Sequence, residues 1–470
     1  MRGTLYAGLQ STVSRTALSG RLNNGVPAIV TPVYKVPRTY ADNYALSTSN
    51  AEAMPDPGLV TPYVQQWNLS VQRAIKGTLV QVAYVGNHAT KAIRGFDYNQ
   101  VIINQIFPDF LKAQNNGLLA QKATGTFDPR FNANIAGSQP LPFFNQLGSA
   151  GLLTNSTIIS DIQTGQVGEL ASVYQTNGLN GPVNFFANPY MLGANALENY
   201  SNAKYNALQV DVQHRFSHGL QFQFNYVYSK VMSDAQGDQQ TDFEPFLDIN
   251  NAKIEKSRVS GSDLTHVFKA NGVYELPFGS GKRFNPGNKV LSRVASGWRF
   301  ASILTWQSGT PFSVTSGRGT LNRAARSGGE TANTSLTKSQ LDDLFGVQMT
   351  GNGPVYVPAS IKGSDGRAVA ADGAAPFTGQ VFFQPVAGNI GALQRNYFSG
   401  PSVFDMDASI SKVTKIKERH SLELKMESTN IFNHPTWFVG NQSITSTNFG
   451  KITSTFFSRR LVQFEMYYRF

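Results

Sequence analysis

The sequence predicts an all-β chain folded as an antiparallel, up-and-down sheet, and three observations predict it. The final residues, 461–470, alternate strictly: Val462, Phe464, Met466, Tyr468 and Phe470 fall on one face, and Leu461, Gln463, Glu465, Tyr467 and Arg469 on the other. Successive strand side chains point to opposite faces, so this segment is a strand with an apolar and a mostly polar side. Soluble domains usually end in a frayed polar tail, whereas here the apolar pattern runs to the last residue. The second observation is a hairpin, 205–216 and 220–230, whose two arms alternate in the same way. The third is that the connections between candidate strands switch strictly between short and long. An edge strand of a soluble sandwich accounts for the first observation alone. A transmembrane β-barrel with short turns on one side of the membrane and long loops on the other accounts for all three, and Greek-key links have no reason to alternate.

Taken in order, a weakly patterned candidate strand covers 2–13, and 14–62 is irregular. Over 63–74, Trp67, Leu69 and Val71 alternate with Asn68, Ser70 and Gln72; Lys76-Gly77 turns the chain, and 78–87 places Val80, Val82 and Tyr84 on one face, a hairpin. Residues 88–203 hold no long periodic segment and are expected to form a long surface loop. In the next hairpin Leu208, Val210, Val212 and Phe216 oppose Gln209, Asp211, Gln213 and Arg215. After Ser217-His218-Gly219, Leu220, Phe222, Phe224, Tyr226 and Tyr228 oppose Gln221, Gln223, Asn225, Val227 and Ser229. An irregular stretch covers 232–263. Strand 266–276 aligns Phe268, Ala270, Tyr274 and Leu276, and strand 297–309 aligns Trp298, Phe300, Leu304 and Trp306. A Gly- and Ala-rich stretch, 315–396, is irregular. Strand 402–413 sets Phe404, Met406, Ala408 and Ile410 against Asp405, Asp407, Ser409 and Ser411; strand 420–431 sets Leu422, Leu424 and Met426 against Glu423, Lys425 and Glu427. The short links are then 75–77, 217–219, 277–296 and 414–419, and the long ones 14–62, 88–203, 232–263, 310–401 and 432–458. With the carboxy-terminus in the periplasm, every long loop is extracellular.

Composition narrows the class. Of 470 residues only 15% are charged, against ~25% in average globular chains, while 41% are hydrophobic, so global disorder is excluded. No linker divides the chain, although a soluble protein of this length would usually split into domains. It lacks the run of ~18 apolar residues that a membrane helix needs, so lipid can be crossed only by a closed barrel. With no cysteine there are no disulfides, thiolate metal sites or cysteine nucleophiles, which fits an envelope-facing location. The opening residues, 1–6, lack the apolar core of a signal peptide, so either the protein is cytosolic or the chain is the carboxy-terminal portion of a longer one. The net charge of +11 is scattered rather than clustered, which gives no nucleic-acid patch and suits the phosphates of an outer leaflet.

Catalytic and metal signatures are weak. Gly279-Ser280-Gly281-Lys282 lacks the earlier glycine of a phosphate loop and is followed by Arg283, so a glycine-rich turn is expected. His214 and His218 flank a hairpin turn rather than sharing a helix face, and no metal site is assigned. Asp405 with Asp407, and Glu423 with Lys425 and Glu427, belong to polar strand faces expected to line a wet interior rather than to do acid–base work. No nucleophile elbow or dinucleotide fingerprint occurs. The expectation is therefore a non-enzyme without cofactor. Its lumen-facing candidates are Gln209, Asp211, Gln213, Arg215, Gln221, Gln223, Asn225, Asp405, Asp407, Glu423, Lys425 and Glu427. Tyr84, Tyr228, Trp298, Trp306 and Tyr468 are candidates for interfacial aromatic girdles.

Several segments together carry a family resemblance: Thr61-Pro62-Tyr63-Val64-Gln65-Gln66-Trp67-Asn68-Leu69-Ser70-Val71-Gln72-Arg73, Val82-Ala83-Tyr84-Val85-Gly86, Tyr205-Asn206-Ala207-Leu208-Gln209, Asn225-Tyr226-Val227-Tyr228-Ser229-Lys230, Glu275-Leu276-Pro277-Phe278-Gly279 and Asn430-Ile431-Phe432-Asn433-His434-Pro435. In this order they resemble the carboxy-terminal barrel half of Oar-like TonB-dependent outer-membrane transporters of the acidobacterial type. The resemblance implies a barrel of about twenty-two strands with an amino-terminal carboxypeptidase-regulatory-like domain, a plug and a TonB-contacting box, none of which is visible in this sequence. The ten candidate strands are then a partial barrel. The terminal row Phe464, Met466, Tyr468 and Phe470 resembles the carboxy-terminal signal read by the barrel-assembly machinery. The expected partners are outer-membrane lipid and lipopolysaccharide, that machinery, an unknown ligand, and the TonB system through the missing amino-terminal part; nucleic acid is not expected. The reading is an outer-membrane transporter for a large or scarce substrate. The alternatives are a surface adhesion or structural barrel that transports nothing, and a soluble carbohydrate-binding or hydrolytic β-protein.

Overall fold

The structure, a computed structural model, describes residues 51–235, 244–323, 330–417, 419–456 and 459–470, together with 37, 39 and 42. The candidate strand 2–13 lies outside the described residues. Nine strands carry the main sheet: β1 Tyr63–Ile75, β2 Thr78–Asp97, β3 Gly193–Ser217, β4 Leu220–Ser233, β5 His266–Glu275, β6 Trp298–Gln307, β7 Val403–Lys417, β8 His420–Thr429 and β9 Leu461–Arg469. Each pairs antiparallel with the next in sequence, an up-and-down meander, and the sheet is not closed: β1 and β9 are its ends.

Turn chemistry sets the register. Between β1 and β2 Lys76 and Gly77 have φ of 47° and 82°, and between β3 and β4 His218 and Gly219 have 52° and 82°. Two consecutive positive φ values define the primed turn whose twist matches paired strands. Register then aligns Val71, Val82, Val210, Tyr226, Phe268, Trp306 and Phe404 in one row across β1–β7, and Ile410, Met426 and Phe464 in another across β7–β9. This apolar face is not packed away. Val71 is 70% exposed, Phe464 77% and Met466 71%; Phe224 is exposed, and Phe222 and Tyr226 are half-buried. A β-sandwich would have buried it. At the close crossing of β1 and β2 the Trp67 indole covers Gly86, where a Cβ would lie 2.3 Å from Trp67 Nε1.

The short links sit at one end of the sheet and the long ones at the other, as the spacing predicts. The stretches read as irregular are not uniformly so: residues 51–55 form a strand parallel to 193–197, and 338–344 are helical. Residues 88–203 are not one irregular loop, because β2 continues to Asp97 and β3 begins at Gly193. Twenty-five residues of β3 at ~3.3 Å each reach well past a bilayer that ~10 strand residues cross. The pairing is hidden in the sequence because its register shifts between Ala89 and Ala92 and again between Ala92 and Arg94. Such bulges break the period of two.

The same segment also folds helices α1 Ile106–Thr124, α2 Ser156–Gln163 and α3 Val167–Thr176. Asn155 caps α2 by accepting from the Thr157 and Ile158 N–H groups. The β5–β6 turn holds α4 Lys289–Ala295, and the β6–β7 connection holds α5 Lys338–Leu344, opened by a Thr337/Gln340 capping box. The hydrophobic cores lie in these connections rather than on the sheet. One packs Phe110, Phe144, Ile158, Ile162, Leu170, Tyr174 and Phe185; the other packs Phe312, Val314, Leu341, Val357, Phe382, Phe398 and Phe449. Each such buried side chain contributes about 1.5–3 kcal/mol of transfer free energy. The two units join where Gly168 N–H donates to Gly319 O at 2.8 Å and Val101 N–H to Leu321 O at 3.0 Å, forming a single cap at the long-loop end.

Candidate functional site

The face opposite the apolar rows carries the polar side chains. Register aligns Gln72, Gln81, Asp211, Asn225, Lys269, Thr305 and Asp405 across β1–β7. On β7–β9, Ser409 lies opposite Glu427 and Glu427 opposite Gln463; Ser411, Lys425 and Glu465 form the next row, and Val413, Glu423 and Tyr467 the one after.

Within this wall the residues singled out from the sequence fall into two groups, separated by β5 and β6. In the first, Asp211 accepts from Gln223 Nε2 at 2.8 Å and from Asn225 Nδ2. Gln213 lies opposite Gln223, Gln209 opposite Val227 and Gln221 opposite Val273, and Arg215 is exposed beside the turn. In the second, Asp405 lies opposite Thr305 and Asp407 opposite Ile303, and Asp407 Oδ1 accepts from the Asn430 N–H at 2.9 Å. Glu423 pairs with Arg469 at 2.7 Å; Lys425 pairs with Glu427 and stands 3.9 Å from Glu465. Glu465 in turn accepts from Gln463 Nε2 and Tyr467 Oη, both at 2.7 Å.

Between the two groups stand Lys269, Asn271 and Thr305, which sequence reading passed over. Lys269 and Asn271 keep an i, i+2 spacing on β5 as clear as that of Gln221, Gln223 and Asn225 on β4, and Thr305 of β6 lies opposite Lys269, but the aromatic Phe268 and Tyr274 dominate the pattern of β5. A groove of about 540 Å³ runs along β5–β8 on this side, lined by Asn271, Ile303, Asp407, Ser409 and Glu427. The groove's polar side chains are an amide, hydroxyls and the carboxylates of Asp407 and Glu427, an arrangement that can hydrate or hydrogen-bond a polar solute. The face is not uniformly wet, since Val227, Val273 and Ile303 interrupt it.

Phe464, Met466, Tyr468 and Phe470 project from the apolar side of the last strand, and Tyr468 Oη meets His420 Nδ1 at 2.7 Å. Of the girdle candidates, Tyr84, Tyr228 and Trp306 fall toward the long-loop end and Trp298 and Tyr468 toward the short-turn end, all on the apolar side. Both ring nitrogens of His214 face hydroxyls, Thr78 Oγ1 and Ser217 Oγ, at 2.8 Å, and the ring stacks on Phe222. Gly279 closes its turn by donating to Phe284 O at 2.9 Å.

The cap has its own electrostatics, which no periodic pattern of residues announces. Glu255 is fully buried; Arg395 Nη2 donates to its carboxylate at 2.8 Å, Arg94 lies 3.7 Å away, and the Leu247 N–H donates at 2.6 Å. Arg94 belongs to β2, Glu255 to the β4–β5 connection and Arg395 to the β6–β7 connection, so one carboxylate ties three segments together. Nearby, burial pushes the Glu330 carboxyl up to about 8, although Thr320 N–H and Oγ1 donate to it. Burial, with Glu169 adding to it, pushes Asp161 up to about 6.

The model of the family described as outer membrane beta barrel domain matches residues 4–463. No curated protein matches the chain in sequence. Among solved structures the chain is similar to the outer membrane transporter YddB of Escherichia coli, with 9% identity, a TM-score of 0.36, and 90% of this chain and 34% of that one covered. It is also similar to the ferric enterobactin receptor PfeA of Pseudomonas aeruginosa, with 8% identity, a TM-score of 0.32, and 87% and 32% covered. A third is FpvA of Pseudomonas aeruginosa in complex with a ferric pyoverdine, with 9% identity, a TM-score of 0.30, and 87% and 27% covered. The chain spans about a third of the length of these transporters.

Proposed function

Since this chain belongs to the outer membrane beta barrel domain family and therefore resides in the cell outer membrane, we propose that it forms part of the wall and outer cap of a TonB-dependent transporter of the Oar-like type, admitting a large or scarce polar substrate. The observation that carries this reading is the polar row from Gln72 to Asp405, set back to back with the apolar row from Val71 to Phe404. A sheet with lipid on one side and an aqueous passage on the other needs such a pair of faces. Further strand partners between β1 and β9 would close the barrel, since open edges invite aggregation. The long loops would bind the ligand, the TonB system would supply the energy, and the work would be binding and passage rather than bond chemistry. Lipid, lipopolysaccharide and the barrel-assembly machinery are the partners such a role requires.

The test is a deletion strain complemented with the native gene or with the Asp211→Leu, Asp407→Leu double variant. Accumulation of medium components is followed by mass spectrometry with and without a protonophore. Transport predicts that at least one component ceases to accumulate on deletion, on loss of the proton gradient, and in the double variant. The structural cap favours one competing reading, an adhesion barrel, which predicts unchanged accumulation and lost surface attachment.

A further inference from the structure

The β5–β6 connection is longer than its counterparts at the same end of the sheet, and it folds into α4, Lys289–Ala295. Asn288 caps that helix, accepting from the Val290 and Leu291 N–H groups at 2.9 and 3.2 Å. A helix on the surface of a soluble protein turns its apolar stripe toward the protein. In α4 the order is inverted. Ser292 is buried, while Val290, Leu291 and Val294 are 71%, 57% and 59% exposed. At about 100° per residue these three share one arc, and Lys289, Ser292 and Arg293 lie together on the other side of the helix.

The pose is held from several sides. Trp298 Nε1 donates to Val294 O at 3.0 Å. Lys412 Nζ donates to the carbonyls of Arg293 and Ser296 at 3.2 and 2.8 Å, and to that of Val294. Arg293 Nη2 donates to Lys415 O at 3.2 Å. Trp298 and Lys412 lie opposite each other on the apolar face, two residues below Phe300 and Ile410. The exposed arc of α4 therefore continues the lower margin of the face that meets lipid.

We propose that α4 is an interfacial helix, seated in the bilayer leaflet on the short-turn side. Val290, Leu291 and Val294 dip below the glycerophospholipid headgroups, while Lys289, Arg293 and Lys415 line a polar cavity on the helix's other side with Glu275, Arg299, Glu423 and Arg469. An exposed apolar arc on one side, charged groups on the other and an interfacial Trp beside them is the form such helices take. The continuity of the exposed arc with the sheet's apolar face selects lipid over a protein partner. The assignment goes beyond the transport reading, because it holds equally for an adhesion barrel.

The chain contains no cysteine, so Leu291→Cys and Lys289→Cys each introduce a single labelling site in the otherwise complete protein. Each variant, carrying an environment-sensitive fluorophore, is reconstituted into phosphatidylethanolamine–phosphatidylglycerol vesicles. The expected result is a blue-shifted emission at position 291 that headgroup-region spin-labelled lipid quenches, with position 289 remaining open to aqueous iodide. Equal iodide quenching at the two positions, or a label at 291 that stays in water until a protein is added, overturns the proposal.

Discussion

Glu330 shows how one side chain couples the cap to pH. Its folded-state carboxyl titrates near 8, above its ordinary value of 4.5. The folded cap therefore binds a proton that the unfolded segment releases. Its contribution is complete below about 4.5 and is lost as the pH rises through about 8, at up to about 1.4 kcal/mol per pH unit. Hydrogen exchange of amides in the cluster around Phe312, Phe382 and Phe449 should accelerate from ~pH 5 to ~pH 8 beyond the intrinsic chemical rate. In Glu330→Gln that excess should vanish; an unchanged excess would remove Glu330 as its cause. Nothing in the sequence marks this residue, because its perturbation comes from burial beneath segments far apart in the chain. Asp211 was legible by contrast: its place in the alternation Gln209, Asp211, Gln213 fixes its face, and only its partners Gln223 and Asn225 needed the structure.

At the scale of elements, the strands announce themselves wherever the period of two is unbroken, as in β4 and β9. They disappear where bulges interrupt it, as along β2 beyond Ala89. The helices of the cap were legible in principle. Val167, Leu170, Ala171 and Tyr174 follow the i, i+3, i+4, i+7 spacing of an amphipathic helix and are all buried, but Asn, Gln and Gly dominate the surrounding sequence and mask it. Leu170→Ala should cost the cap about 2–5 kcal/mol. Limited proteolysis in 98–192 should quicken while β-sheet circular dichroism is unchanged; simultaneous loss of sheet signal would mean that cap and sheet do not fold separately. The terminal strand supports a different expectation. If the row ending at Phe470 is what the assembly machinery reads, Phe470→Ser should lower the amount of protein in the outer membrane severalfold, and Leu461→Ser, on the other face, should not. Equal levels of the two variants in fractionated membranes would dismiss that role.

For the molecule as a whole, the parity of the connections does more than any single strand. The shorter links gather at one end and the two hydrophobic cores at the other, and among the described residues the nine strands of the sheet contribute to neither core. Burial is thus moved into the cap, and the sheet's apolar rows are left for a non-aqueous solvent. A cysteine scan along β4 in the bilayer-inserted protein tests this most directly, replacing Phe222, Gln223, Phe224, Asn225 and Tyr226 one at a time and scoring reaction with a membrane-impermeant maleimide. The account predicts a period of two, with positions 223 and 225 modified and 222, 224 and 226 protected; uniform modification, or the opposite phase, would contradict it.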